Sequence, residues 1–330
     1  MYQSIGKITL HSGEQVDFGI VRAPDDGWRD RIVKMFVPKG VLWQWQNAEA
    51  LSADVGIRVS YFLLHRDGQP FANVMLMHYS GVGMLQHVWT DPEDRGQGAS
   101  SLLVNTALED FRSNGGQALF LETGYGSSAY HIYERLGFHS IEPGSRHMEY
   151  YATSKREFDQ AYFAPGRTEI ELLAWRHWIT SQALFTGDFP SRVRCAALQM
   201  IGRAVNDEYI IPLISDDLLN PPAEKRARVL TQPETSAMVG FALWSWHPFW
   251  PGRCVIDLFC HPAFQNHADD LLASLTLPQA DRLIAYTDAH DAEKADFLRR
   301  HGFRQTAVLP GQIAVDAAKS ASLDVLVFEK

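Results

Sequence analysis

The segment TDPEDRGQGASSLL, Thr90 to Leu103, stands where an extended run gives way to a helix. Two glycines spaced two apart let backbone amides approach an anion closely. The start of a helix adds unpaired N–H groups and a favourable dipole. Arg95 contributes a charge with bidentate reach, and Ser100 a hydroxyl in the first turn. No Gly-Lys-Ser/Thr follows, which excludes a Walker loop. The strands before the segment form a meander, not a parallel crossover unit, which excludes a dinucleotide fingerprint. A second segment, CHPAFQNHADDLL (Cys260 to Leu272), keeps the register and has none of the glycines.

Outward from the first segment, periodicity predicts a run of elements. Residues 16–23 alternate as a strand, and helical patterns cover 27–37 and 41–53. Strands over 59–65, 70–79 and 84–90 are joined by turns at Asp67-Gly68 and at Gly81/Gly83. Leu103, Val104, Ala107, Leu108 and Phe111 form one helical face, stopped by Asn114-Gly115-Gly116. A strand over 118–123, a helix over 127–138 and two short strands near 139–142 and 147–151 complete the unit. Residues 152–167 are polar and read as an irregular linker.

The order then begins again. Strands are expected at 168–174, 226–231, 237–246, 254–260, 281–287 and the final LDVLVFEK. Helices are expected at 175–186, 191–205, 213–219, 268–275 and 292–303. The echo of YERLGF (133–138) in LRRHGF (298–303) marks an internal repeat of about half the chain. The reading is a mixed α/β architecture of two tandem domains, 1–151 and 168–330.

A chain of 330 residues is long for one core and comfortable for two domains. Hydrophobic residues at 46% and charged residues at 21% mark an ordinary globular composition. No window reaches ~18 uninterrupted apolar residues, so no membrane partner is expected. The first residues lack a basic region followed by an apolar run, so no export signal is read. Cys254 and Cys260 on one strand would lie ~20 Å apart, beyond disulfide reach. Reduced thiols and a cytoplasmic location are therefore expected. The net charge of −9 argues against a nucleic-acid partner and permits a cationic substrate such as an amine.

The pattern strand-Thr90-x-Pro92-x-x-Arg95-Gly96-x-Gly98, then helix, strand and Tyr-Glu-Arg-Leu-Gly-Phe, resembles the GNAT superfamily of acyl-CoA-dependent N-acetyltransferases. The resemblance covers 16–151 well and 168–330 more faintly. Ser100 departs from the family's loop, where Gly or Ala stands. The resemblance implies two GNAT-like domains, each a mostly antiparallel twisted sheet flanked by helices. It implies that Arg95, Gly96, Gln97, Gly98, Ala99 and Ser100 hold the pyrophosphate of acetyl-CoA. The backbone of Val88, Trp89 and Thr90 would pair with pantetheine and polarise the acetyl carbonyl. Tyr133 would protonate the departing thiolate; the other reading is a packing tyrosine on an amphipathic helix. An amine attacking a thioester also needs a base. Glu122, His87 and His78 are the candidates. Strict alternation puts Gln86, Val88 and Thr90 on one face and His87 and Trp89 on the other, which leaves open the face that meets substrate.

In the second half Gln265 and Asn266 stand where the first has Arg95 and Gly96, and Ala268 replaces Gly98. Asp270 replaces Ser100, and Asp269 and Asp270 would repel a phosphate from the helix start. On the Gly-Phe pairs Leu298 stands for Tyr133. This half is expected to be degenerate, without CoA, with roles in the acceptor pocket, stiffening or homodimer formation. The aromatic run 241–250 reads as a strand with core and surface faces, or as a pocket or interface lining. No metal-ligand spacing, nucleophile elbow or reactive-cysteine context is present. Two functions compete. One is an acetyl-CoA-dependent transferase acting on a primary amine of a small acceptor. The other is a non-catalytic acyl-CoA-binding regulator.

Overall fold

Asp67-Gly68 and Ser80-Gly81 both adopt left-handed backbone and close two hairpins. A computed structural model describes residues 1–218, 220–315 and 321–330. Chain contacts divide it into two units, Met1–His139 with Met148–Phe158, and Ser140–His147 with Asp159–Lys330.

The first sheet begins with β1 (Tyr2–Thr9) and β2 (Gln15–Arg22). α1 (Asp26–Met35) and α2 (Val41–Ser52) follow, then the meander β3 (Arg58–Arg66), β4 (Gln69–Tyr79) and β5 (Val82–Thr90). After α3 (Ala99–Ser113) come β6 (Ala118–Glu122), α4 (Ser128–Arg135), β7 (His139–Ser140), β8 (His147–Tyr151) and α5 (Lys155–Tyr162). The strand order is β1-β2-β3-β4-β5-β6-β8-β7. Pairing is antiparallel from β1 to β5, while β5 and β6 are parallel. β1 was not expected from the sequence, and its residues are mostly exposed on the sheet edge. Exposure on both faces leaves no alternation to read. α5 corrects the irregular reading of the linker; the Glu157 amide donates to Ser154 Oγ at 3.2 Å, an N-cap bond.

α3 buries Leu103, Val104, Ala107, Leu108 and Phe111 against Phe62, Leu64, Leu76, Leu85 and Leu119. Each such side chain contributes about 1.5–3 kcal/mol by leaving water. α3 stops at Asn114, where the Gly116 amide returns to the Phe111 carbonyl at 2.9 Å. The opposite sheet face meets α2, where the Tyr61 hydroxyl donates to Asn47 Oδ1 at 2.8 Å.

The second unit contains β9 (Glu169–Leu172), α6 (Trp175–Thr186), β10 (Val193–Cys195), β11 (Met200–Ile201) and α7 (Ile210–Asp217). Next come β12 (Ala227–Gln232), β13 (Ala237–Trp246), β14 (Arg253–Cys260) and α8 (Ala268–Ala273). β15 (Arg282–Asp288), α9 (Ala292–Arg300), β16 (Arg304–Ala314) and β17 (Ser322–Glu329) complete it. Its seven-stranded sheet has the order β16-β17-β15-β14-β13-β12-β9, antiparallel except between β14 and β15. Two mostly antiparallel sheets flanked by helices make a mixed α/β fold.

The helix expected over 191–205 is absent. Its residues form β10, a 3-10 turn (Ala196–Leu198) and β11. Buried carboxylates hold the backbone extended: Asp288 accepts the amides of Arg192 (2.6 Å) and Val193 (2.8 Å), and Asp257 accepts that of Ala196. Of the helix expected at 213–219, α7 covers Ile210–Asp217, and Leu219 lies outside the described residues. β16 also went unread, being exposed along nearly its whole length. The echoing hexapeptides share one cap. Gly137 and Gly302 are left-handed, and the amides of Phe138 and Phe303 donate to the Tyr133 and Leu298 carbonyls at 3.1 and 3.0 Å.

The strands that lead into the two corresponding segments, β5 and β14, differ by one residue. In β5, Asn73 faces Trp89 and Met75 faces Gln86, so Val74 opposes two residues, His87 and Val88. This is a β-bulge, with His87 at φ 52°. β14 pairs with β13 without interruption from Cys254 to Cys260. The parallel pairings start at Val82 and Arg253, an offset of 253 − 82 = 171. The later segments start at Thr90 and Cys260, an offset of 260 − 90 = 170. The missing residue is the counterpart of His87.

Candidate active site

β5 and β6 are paired only through Val82–Met84 and Ala118–Phe120. The bulge lies beyond that pairing, where β5 and β6 are no longer hydrogen-bonded to each other; unbulged β14 likewise pairs with β15 through only three residues, Arg253–Val255. A cavity of about 750 Å³ opens there on the α3 and α4 side. Its lining includes Val88, Trp89 and Thr90 from β5, Arg95, Gly96 and Gly98 from the loop, and Tyr133 from α4.

The loop is built for backbone amides. A 3-10 turn, Pro92–Asp94, leads into Gly96 (φ 75°) and Gly98 (φ 85°), which caps α3 with no side-chain hydrogen bond. A Cβ on Gly98 would stand 3.0 Å from His11 Nε2, on a backbone that L residues adopt only with strain. The first turns of α3 (Ala99, Ser100, Ser101) and α4 (Ser127, Ser128, Ala129) line the same cavity. Two helix starts converging on one space favour an anion.

The surroundings hold the loop in place. Arg66 donates to Glu14 at 2.7 and 2.8 Å and to Asp94 at 3.1 and 2.7 Å, fixing the 92–94 turn. Gln97 Oε1 accepts the Ser12 amide at 2.8 Å, and the His11 amide donates to the Gln97 carbonyl at 3.4 Å. The Gln97 side chain therefore faces the β1–β2 turn, away from the cavity lining, and only its backbone amide is left for the ligand. Arg95 lines the cavity while its Nε donates to the Thr90 carbonyl at 3.3 Å. That carbonyl is committed to the loop. Ser100 fits where a smaller residue was expected, with its Oγ 3.0 Å from Thr90 Oγ1.

Tyr133 reaches the cavity, and burial pushes its hydroxyl pKa above the usual tyrosine range. The hydroxyl therefore keeps its proton at neutral pH. Neither Glu122 nor His87 lines the cavity. Glu122 ends β6, beyond its pairing with β5. His78 pairs with Gly83, six residues from the Ala72–Thr90 pair and so ~20 Å from the loop end.

Strict alternation fails at the bulge. Gln86 and His87 both reach Gln46 of α2, on the face away from α3 and α4. Gln46 Nε2 donates to Gln86 Oε1 at 3.2 Å, and His87 Nε2 donates to Gln46 Oε1 at 2.9 Å. Burial, then the Lys39 charge, hold the His87 pKa well below its ordinary value. The sequence reading missed His11, Asp94, Ser101 and Val104, and Ser127, Ser128, Ala129 and Ile132 at the start of α4. Ser127 was findable, since it caps α4 by accepting the Tyr130 amide at 3.1 Å. His11 was not, because it follows the unread edge strand.

In the second unit the 3-10 helix Pro262–His267 runs directly into α8, and none of its residues is left-handed. The smaller cavity there, about 280 Å³, is lined in part by Lys294. Lys294 Nζ donates to buried Asp257 at 2.6 Å.

A family model, the acetyltransferase (GNAT) family, matches residues 30–138, which run from α1 through the bulge and loop to the Gly-Phe cap. Residues 30–138 belong to the GNAT acetyltransferase family. Solved structures similar to this chain include an N-acetyltransferase from Staphylococcus aureus Mu50, at 16% identity and TM-score 0.38, covering 50% of this chain and 98% of that one. An acetyltransferase from Salmonella typhimurium, whose structure contains its cofactor acetyl-CoA, is 16% identical at TM-score 0.37, covering 50% and 94%. An acyl-CoA N-acyltransferase from Klebsiella pneumoniae is 21% identical at TM-score 0.31, covering 41% and 98%. No curated protein matches this chain. Among its described residues no group of three or more His, Cys, Asp or Glu is placed to hold a metal, and no helix is long and apolar enough to cross a membrane.

Proposed function

We propose that the chain is an acetyl-CoA-dependent N-acetyltransferase acting on a primary amine of a small acceptor, with the chemistry in residues 1–151. The observation that carries this reading is the cavity in which two helix starts, left-handed Gly96 and Gly98, and Tyr133 meet beside the bulged end of β5. The α3 amides, Arg95 and Ser100 fit a diphosphate, and the free backbone of β5 fits an extended amide-bearing arm. Acetyl-CoA supplies an activated acyl thioester. Tyr133 gives its proton to the sulfur as the C–S bond breaks, and backbone N–H groups of β5 stabilise charge on the carbonyl oxygen.

Residues 152–167 act as the connector and 168–330 as a GNAT-like domain that does not take CoA. The unbroken β14, the helical 262–268 stretch and the buried Lys294–Asp257 pair support this assignment. Three buried, unpaired cysteines agree with a reducing compartment such as the cytoplasm.

The test measures acetyl-CoA binding, then thiol release with a panel of primary amines, for the native chain and Tyr133→Phe. Turnover should fall by about 10²-fold in the variant, with acetyl-CoA binding within twofold. Binding without turnover on every amine would instead support the non-catalytic regulator.

A further inference from the structure

Resting on the acetyltransferase reading above, we propose that Lys39 is itself an acetyl acceptor, so that the enzyme modifies its own chain at this side chain. Lys39 lies at the end of an exposed 3-10 turn, Val37–Lys39, between α1 and α2. Its Nζ reaches inward to 3.3 Å from His87 Nδ1, against the bulge residue of β5.

The hydrogen-bond network assigns the proton on that imidazole. Gln46 Nε2 faces Gln86 Oε1 and the sulfurs of Met75 and Met77, all acceptors, so Gln46 turns its Oε1 to His87. His87 Nε2 therefore carries the hydrogen, and Nδ1 presents a lone pair to the Lys39 ammonium. The imidazole is fixed between the Phe36 ring (4.6 Å between centroids) and the edge of Trp43 (5.1 Å). This is an amine facing a neutral, oriented hydrogen-bond acceptor.

The position relative to the cavity is set by the sheet. His87 immediately precedes Val88, Trp89 and Thr90, which line the cavity on the α3 and α4 side. The His87 ring and Lys39 lie on the α2 side. The strands between them part beyond Met84 and Phe120. A thioester entering from the loop side through that gap meets the Lys39 amine on the other face.

The step balances as a simple transfer. One ammonium proton leaves to solvent from the exposed turn, while neutral His87 Nδ1 holds the amine in place by a hydrogen bond. The freed Lys39 nitrogen attacks the thioester carbon, the C–N bond forms and the C–S bond breaks. The second nitrogen proton is released and offsets the proton that the thiolate takes from Tyr133. Products are acetyl-Lys39, free thiol and one proton.

The experiment incubates the purified full chain with deuterated acetyl-CoA and follows acetylation by intact and peptide mass spectrometry, with acetyl-CoA binding measured in parallel. One acetyl group should appear on Lys39, at a first-order rate independent of protein concentration. It should outpace labelling of Lys34, exposed on α1, at least tenfold. Lys39→Arg should abolish the intact-mass shift, and His87→Gln and Tyr133→Phe should slow it at least tenfold while still binding acetyl-CoA. Acetyl-CoA bound and passed to free amines, with Lys39 labelled no faster than Lys34, overturns self-acetylation and leaves the transferase reading standing. Absence of acetyl-CoA binding removes the transferase reading, and self-acetylation with it.

Discussion

Thr90 Oγ1 lies 3.0 Å from Ser100 Oγ, tying the last residue of β5 to the first turn of α3. Strand end and helix start are thereby held at one spacing across the mouth of the cavity. Thr90→Val keeps the shape and removes the bond. It should cost about 1 kcal/mol of stability and weaken acetyl-CoA binding about fivefold. Titration calorimetry checks this, and unchanged affinity would show that the loop holds its spacing without the pair.

The Lys294–Asp257 pair in the second unit is almost wholly buried. Burial raises the Asp257 pKa, and Lys294 opposes that rise. Lys294→Met leaves a carboxyl without its counter-charge, so the urea midpoint should fall by the equivalent of about 3 kcal/mol. Adding Asp257→Asn should recover part of that loss, because the uncompensated charge is then gone. Equal loss in single and double variants would show that packing, not charge, is what Lys294 supplies.

Acid should weaken the first unit through His78. Burial, then Arg58, lower its pKa from the ordinary histidine value to about 4. Its Nε2 accepts the Gly81 amide at 3.2 Å, which requires the neutral ring. The unfolded chain takes up this proton near pH 6.5 and the folded chain only near 4. The stability held by neutral His78 is complete above about pH 6.5 and is lost as pH falls toward 4. His78→Gln, which can still accept from Gly81, should flatten the fall in urea midpoint between pH 7 and 5 by about 1 kcal/mol, after allowance for solvent screening. An unchanged slope would assign the acid loss to other groups.

The elements that build the cavity were legible because local chemistry repeats their shape. Leu103 to Phe111 show a helix face, Gly96 and Gly98 an anion loop, and Tyr133 a family position. What escaped depends on tertiary context. β1 and β16 are exposed edges with no buried face to make them alternate. Residues 191–205 are held extended by Asp257 and Asp288, which lie far away in sequence. The bulge at His87 has no glycine and no turn residue to announce it, so strict alternation misplaced that side chain. Comparing the two halves residue by residue exposes the extra residue only once the strand pairings are known.

That extra residue gives the sharpest test of how the site is built. β14 runs straight at the equivalent point and still pairs with β13 along its whole length. Deleting His87 should therefore yield a folded first unit in which β5 pairs with β4 without a bulge. Val88 and Thr90 would keep the faces their counterparts Leu258 and Cys260 hold in β14. The pairing with β6 should stay at three residues, as it does between β14 and β15, while the backbone of Val88–Thr90 loses its present direction along the cavity. Acetyl-CoA binding should weaken at least tenfold, about 1.4 kcal/mol, and turnover should be lost, while circular dichroism stays native. A deletion variant that folds and binds acetyl-CoA as tightly as the native chain would show that the loop alone, without the bulged strand, makes the site.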